Sequence, residues 1–388
     1  MSRDALKIGI LFSTTGSYAA VGAAMRAGAE LAIEEVNADP AAPLRLEPIF
    51  IDPAGVTSAY AEGAVELLRS HGVVHVFGCY TSSSRKEVLP VFEKHDALLW
   101  YPSHYEGFET SDNVIYTGAA PNQHIVPLAR HLLSGHGDRG WFVGSNYVWA
   151  WENNRILREA LMEAGGTVMG ERYFPVGETD LGELAVQIVR DRPDFIFTTL
   201  IGESSYRFLR LLRAAAEAAG MDQVTEMPVA SCSLSEVELP FIGEAAAGHL
   251  SSSVYFSSIR SPENARFTER WATRFGPTGQ ACADAEATYV AVHLLMGAIR
   301  RAGGAEFVAV REAARGLRFN APQGPVTVDP DNLHCSMRPR IGRSKADGTF
   351  EILFEEQVPI RPDPYLVWGN GVAGERGRRG GGHLRLVP

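Results

Sequence analysis

Residues 73–109 read VVHVFGCYTSSSRKEVLPVFEKHDALLWYPSHYEGFE. The pattern is strand, glycine turn, helix, strand, polar turn. Val73, Val74, Val76 and Phe77 form the short apolar run of a buried parallel strand, and Gly78 stops it. Ser84 and Glu87 have the spacing of a capping box, which predicts a helix start there. Pro90 inside the helical pattern bends the helix or shifts its start. Residues 97–101 are a second apolar strand. The hydroxyls of Tyr80, Thr81 and Ser82–Ser84, and the turn at Tyr101, Pro102, Ser103, His104 and Tyr105, therefore follow the carboxyl ends of strands. In an open α/β sheet that edge binds ligands. A helix N-terminus offers free N–H donors, and the hydroxyls add donors and acceptors. This set suits holding a small, neutral, polar molecule better than transforming one. The plainer reading is that the serines only cap the helix.

Outward from this stretch, the pattern repeats. Strands are expected at residues 6–12, 44–52, 114–117, 141–144, 167–175, 195–200 and 228–232. Helices are expected at 20–37, 58–70, 124–133, 152–164, 180–190 and from about 201 to 219. Alternation of this kind points to parallel sheets with right-handed crossovers. Gly118–Asn122, residues 250–259 and the turn at Asp329–Asn332 break the pattern and read as crossings between domains. Helices are expected at 262–275, 281–303 and 307–316, then a strand at 324–328 and an antiparallel pair at 340–342 and 350–354. From Gly369 the chain is rich in Gly and Arg and is expected to be mostly disordered.

The 388 residues predict two to three domains, and 45% apolar with 21% charged residues is ordinary for a globular protein. A net charge of −10 argues against direct nucleic-acid binding. No run reaches the length of a membrane helix, so no membrane insertion is expected. Cys79, Cys232, Cys282 and Cys335 are far apart and lack zinc spacing. A reduced compartment is the simplest reading, with one disulfide left open. No export signal is read at the N-terminus, which gives a cytoplasmic expectation, or a periplasmic one if the true start lies upstream.

Enzyme motifs are absent. Gly202-Glu203-Ser204 lacks the second glycine of a nucleophile elbow, and there is no phosphate-binding glycine loop. His71 and His75 cannot align as metal ligands across Gly72, and no metal or cofactor is expected. His104 reads as a solvated loop residue, and Asp284 and Glu286 as surface or hinge-facing charges. Tyr147, Trp149 and Trp151, at strand spacing, share one side. They are either a core patch or an aromatic lid for a small ligand.

The segments GCYTSSSRKEVLPVFE, YPSHYEGFE, YTGAAPNQ, VGSNYV, APQGPVTVD and IRPDPY resemble the amide-binding branch of type I periplasmic-binding-protein folds. Two relatives fit: the AmiC-type cytoplasmic amide sensor, and the substrate-binding component of urea and short-chain-amide ABC transporters. The resemblance implies an α/β fold of two lobes, each a mostly parallel sheet flanked by helices, joined by three hinge crossings. Residues 1–121 and 256–329 would form the N-terminal lobe, 122–255 and 330–368 the C-terminal lobe, and 369–388 a tail. It implies a non-enzymatic cleft for a small aliphatic amide or urea, lined by Tyr80, Thr81, Ser82, Tyr101, Pro102, Ser103, Tyr147 and Trp149. Tyr105, Gly202 and Ser233 would stand behind them. Ser82 would hold the ligand carbonyl through its hydroxyl and backbone N–H. The partner implied is an RNA-binding antiterminator for the sensor, which would negatively regulate an amidase operon, or an ABC permease for the transporter component. A homo-oligomer is compatible with either. Ser103 stands where the sensor has Thr, and Trp149 where it has Tyr. TSSSRK and YTGAAPNQ are closer to the transporter component, Tyr80 to the sensor. The missing export signal makes the sensor the leading expectation.

Overall fold

The structure, a computed structural model, describes residues 4–276 and 279–367. The expected tail from Gly369 lies outside the described residues. Five strands, β1 (Ala5–Leu11), β2 (Arg45–Ile51), β3 (His75–Gly78), β4 (Leu98–Tyr101) and β5 (Val114–Tyr116), form a wholly parallel sheet in the order β2-β1-β3-β4-β5. A second sheet begins with β6 (Arg139–Ser145), β7 (Thr167–Phe174), β8 (Phe195–Thr199), β9 (Val229–Ser231) and β10 (Leu250–Ser253). A small antiparallel sheet follows, made of β11 (Arg318–Ala321), β12 (Gly324–Val328) and β13 (Cys335–Ser336). β14 (Arg340–Ser344) and β15 (Phe350–Glu355) then return to the second sheet, giving the order β15-β14-β10-β9-β8-β6-β7 with β14 antiparallel to both neighbours.

Both sheets reverse strand order once. In the first, the chain leaves β1 for β2 on one side and then builds β3 on the other. In the second, it leaves β6 for β7 and then builds β8 on the other side. Leu11 pairs with Gly78, and Gly144 with Thr199, so the loops leaving each pair of strands start level. Such reversal points open a crevice at the strands' carboxyl ends. Here the two crevices face each other. Glu203 N–H donates to Ser17 O (3.2 Å), joining the loop after β8 to the loop after β1. Gly202 has φ +58°, and a Cβ there would lie 2.0 Å from Ser17 O. Only glycine fits both that backbone and that approach. On the other rim, the Arg155 guanidinium lies 5.2 Å from the Phe108 ring centre. The lobes are therefore in contact, with the cleft closed.

Several expected boundaries move. The helix after β3 is Ser82–Lys94 and begins one turn before the expected capping box. Thr81 is its cap, because its side chain accepts from Ser84 N–H at 3.2 Å. Pro90 stays inside this helix on its exposed side. The helix expected at 152–164 starts at Val148. Trp151 consequently does not share a side with Trp149: two helical positions turn the chain about 200°. Trp149 is buried and Trp151 is exposed. Part of the crossing expected at 250–259 is β10, a strand of the second sheet. β11, which makes β12 half of a hairpin, was not expected, although Arg318-Phe319-Asn320-Ala321 alternates polar and apolar over its four residues. The four cysteines are free and buried, so the disulfide left open does not form.

The helix Ala283–Ala302 packs between the helix Ala19–Ala38 and the first sheet. Asp284 and Glu286, expected as surface or hinge-facing charges, are both buried by this packing. Glu286 is satisfied by Gln323, which donates its backbone N–H (3.1 Å) and its side-chain N–H (2.8 Å). At the contact between the two helices, a Cβ on Gly28 would lie 2.2 Å from the Ala285 carbonyl oxygen. In an exposed helix a Gly-to-Ala change stabilises by about 1 kcal/mol. Gly28→Ala should instead cost about 1–3 kcal/mol by overpacking, because backbone cannot swing aside. The check is a urea unfolding curve: a lower midpoint at unchanged slope is expected, and a higher midpoint would refute the packing.

Candidate functional site

β3 ends at Gly78, and Cys79 takes a left-handed backbone, φ +69°. A non-glycine residue there is strained by about 1 kcal/mol or more. The turn sets Tyr80 at the cleft and starts the helix at Ser82. Thr81 and Ser84 are spent on the helix end: Thr81 accepts from Ser84 N–H, and Ser84 Oγ–H donates to Thr81 O at 2.7 Å. Ser82 is different. Its hydroxyl donates to the Glu106 carboxylate in a very short bond. Its proton is thus unavailable to a ligand carbonyl, contrary to the expectation above. One of its lone pairs accepts from Arg85 Nη1 (3.4 Å); the other remains as an acceptor, and the Ser82 and Ser83 backbone N–H groups of the first turn remain as donors.

Glu106 is held by the Arg85 guanidinium at 3.1 Å. Arg85 is fully buried, bonded also to Glu109 at 2.5 Å, with the rings of Tyr101 and Tyr105 at 4.9 and 4.7 Å. Burial alone would lower its pKa; Glu106, Tyr101 and Glu109 outweigh it and hold it fully charged. Tyr101 and Tyr105 belong to this support and not to the cavity wall. Tyr101 O–H donates to Tyr80 O at 3.0 Å, and its own carbonyl is taken by Thr117 N–H (2.9 Å). Tyr105 OH lies 2.9 Å from Glu109 O and 2.5 Å from His334 Nε2.

Between the lobes, Tyr80, Ser82, Ser103 and His104 from the first face Tyr147, Trp149 and Ile201 from the second. They enclose a cavity of about 10 Å³, measured as space for the centre of a water-sized sphere. Ser103 Oγ and Trp149 Nε1 are buried there with no hydrogen-bond partner among the described residues. Tyr147 and Trp149 are stacked, with ring centres 6.2 Å apart, and His104 meets Trp149 edge-on at 5.2 Å. Tyr80 is backed by Tyr18, ring centres 5.3 Å apart. Burial, then Glu238 and Asp284, push the Tyr80 hydroxyl well above its ordinary pKa, so it stays neutral.

Five expected residues thus come together: Tyr80, Ser82, Ser103, Tyr147 and Trp149. Thr81, Tyr101 and Tyr105 lie behind them. Pro102 lines an adjoining chamber. Gly202 makes the lobe-to-lobe contact instead. Ser233 is turned into its own loop, where its N–H donates to Ser231 Oγ at 3.0 Å. His104, expected in solvent, has a side chain only 13% exposed, held between Trp149 and His124. The Arg85–Glu106 support and Ile201 were missed. Sequence offered little signal for them, because Arg85 stands beside Lys86 and Glu87 and reads as part of a solvated charged run. Among the described residues no cluster of metal-ligating side chains occurs, and no helix is long and apolar enough to cross a membrane.

A family model described as the periplasmic binding protein domain matches residues 6–370. Leu/Ile/Val-binding protein homolog 6 of Brucella abortus (strain 2308) is 23% identical over 339 residues, 86% of each chain. A solute binding protein of an ABC transporter from Rhodopseudomonas palustris HaA2, in complex with p-hydroxybenzoic acid, superposes with a TM-score of 0.83 at 22% identity. That match covers 92% of this chain and 98% of that one. The leucine-binding protein LivK of Thermotoga maritima gives 0.78 at 19% identity, covering 90% and 98%. At these identities the structural likeness shows the fold alone.

The second lobe brings a buried carboxyl close to Tyr80. Burial pushes Glu238 up to about 7, Asp284 adds to the rise, and bonds from Ser235 and Tyr206 oppose it. A carboxyl raised in the folded state binds more protons folded than unfolded. Its contribution to stability therefore falls as pH rises from the unfolded value to above about 7. Glu238→Gln removes that loss. The stability difference between variant and parent should move in the variant's favour by up to about 3 kcal/mol between about pH 4.5 and about pH 8. Urea unfolding at both pH values checks this; a pH-independent difference would refute it.

Proposed function

Because the chain belongs to the periplasmic binding protein domain family, we propose that it is a solute-binding protein whose lobes close over a small amide or urea. The observation that carries this is the pair of unpartnered polar atoms, Ser103 Oγ and Trp149 Nε1, placed on opposite lobes around one small cavity. Buried polar groups left unpaired cost free energy, so the site favours a molecule that pairs them. Trp149 Nε1–H suits a carbonyl oxygen. The Ser82 lone pair not taken by Arg85 suits an amide N–H. Tyr80 and Tyr147 cover the ligand and exclude water.

Charge narrows the class further. The cation nearest Ser82, Arg85, is consumed by Glu106 and Glu109, and Glu238 and Asp284 act on Tyr80. An anionic ligand such as a benzoate would meet these acids without a free counter-charge. Hydrolysis is disfavoured: Ser82 is bonded to a carboxylate that is itself held by Arg85, which weakens it as a base.

Relatives described as solute binding proteins of ABC transporters support delivery of the ligand to an ABC permease, which places this reading ahead of the sensor reading. The AmiC-type sensor, with an RNA-binding antiterminator as partner, rests on the resemblance at Tyr80. Pull-down with and without acetamide, on cells separated into cytoplasm and periplasm, distinguishes the two. Recovery from the periplasm supports the transporter component. A cytoplasmic RNA-binding partner released by amide supports the sensor.

Calorimetric titration with acetamide, propionamide, urea, leucine and p-hydroxybenzoate tests the ligand class. One amide or urea should bind at one site per chain. Ser103→Ala and Trp149→Phe should each weaken it about tenfold, the cost of one buried hydrogen bond. Binding of leucine or the benzoate alone would overturn the reading.

A further inference from the structure

Beside the amide cavity lies a second chamber, of about 20 Å³ by the same measure, lined by Pro102, His104, His124, Cys232, Val254 and Asp284 among others. His104 lines both spaces, so they adjoin. We propose that this chamber is a second ligand subsite, which takes the protonated amine of a short aminoamide whose carboxamide occupies the first cavity. This rests on the amide reading above.

The polar groups of the chamber are one-sided. His124 is completely buried, and its Nε2 lies 2.9 Å from Tyr105 O, so that nitrogen carries the proton. His124 Nδ1 is then a bare acceptor, and it has no partner among the described residues. Burial, then His104, hold this imidazole down to about 3, so it stays neutral. Asp284 is 3% exposed, and its carboxylate makes no hydrogen bond among the described residues. The His104 imidazole stands beside it, with Nδ1 at 3.8 Å. Asp284 sits in the first turn of the helix Ala283–Ala302, whose dipole favours a negative charge but supplies no bond to it. Nearby hydroxyls are engaged: Thr117 donates to Ala287 O and Ser252 to His124 O. Burial pushes the Cys232 thiol up, so it adds no charge. The chamber therefore offers a carboxylate and an imidazole nitrogen, both acceptors, to whatever enters. A buried carboxylate of this kind seeks a cation that donates hydrogen bonds. A primary ammonium matches in charge, donor count and size.

Propionamide and glycinamide are the probes, because they differ only in a methyl group against an ammonium. Glycinamide should bind the full-length protein about tenfold or more tightly, the scale of a charge-assisted hydrogen bond. Asp284→Asn should remove that advantage and leave propionamide affinity unchanged. With the parent protein, which avoids any folding defect of the variant, the advantage should also vanish above the amine's pKa. Equal or weaker binding of glycinamide by the parent overturns the subsite and leaves the amide reading intact if propionamide binds. An advantage that survives both Asp284→Asn and deprotonation overturns it too. If neither compound binds, both readings fall.

Discussion

The buried Arg85 guanidinium is the group on which the cleft depends. It is sealed between two tyrosine rings, bonded to Glu106 and Glu109, and connected through Glu106 to Ser82. Burying such a charge costs several kcal/mol unless its partners are complete. Here they are, and the cost returns as orientation. Glu106 fixes the Ser82 hydroxyl as a donor away from the ligand, and Tyr101 fixes the Tyr80 backbone. The support continues to the hinge region. Tyr105 and Tyr116 both stack with His334, which follows the turn at Asp329–Asn332. Thus the cavity floor and one interlobe connection share a single rigid aromatic cluster.

The electrostatics of this cleft differ in kind from those of a site built for carboxylates. Its cation is already neutralised, and its buried acids lie on both lobes: Glu106 on the first, Glu238 on the second, and Asp284 on the helix that packs against the first sheet. Such a field rewards N–H groups and penalises oxyanions. The same two-lobed scaffold can therefore serve ligands of opposite character, because the scaffold sets only where the cleft is, and a few side chains set its sign.

Much of the frame was legible in the sequence because parallel strands are dense apolar runs between helical periods. β1, β3, β4 and β8 stand out in that way. What escaped was context. The Thr81 cap competed with an equally good capping box one turn later, and local chemistry alone did not rank them. Tyr147, Trp149 and Trp151 alternate in sequence as strand residues would, yet the helix begins between the first and second of them. Asp284 and Glu286 read as surface or hinge-facing charges because burial of a carboxylate is decided by residues far away, such as His104 and Gln323. Of the site, Tyr80, Ser82, Ser103, Tyr147 and Trp149 could be found from motif order. The roles of Arg85, Glu106 and His104 depend on distances that spacing does not encode.

The Gly202–Ser17 approach joins backbone to backbone across the cleft mouth, with Glu203 N–H bonded to Ser17 O and no side chain between. That bond forms without any ligand atom taking part. The closed form is accordingly favoured in part by the protein itself, and a ligand has to supply only the remainder of the closing free energy. The gain in affinity is accompanied by a slower encounter. A molecule enters while this contact is open, so the fraction of time the mouth stands open scales how fast the cleft is filled.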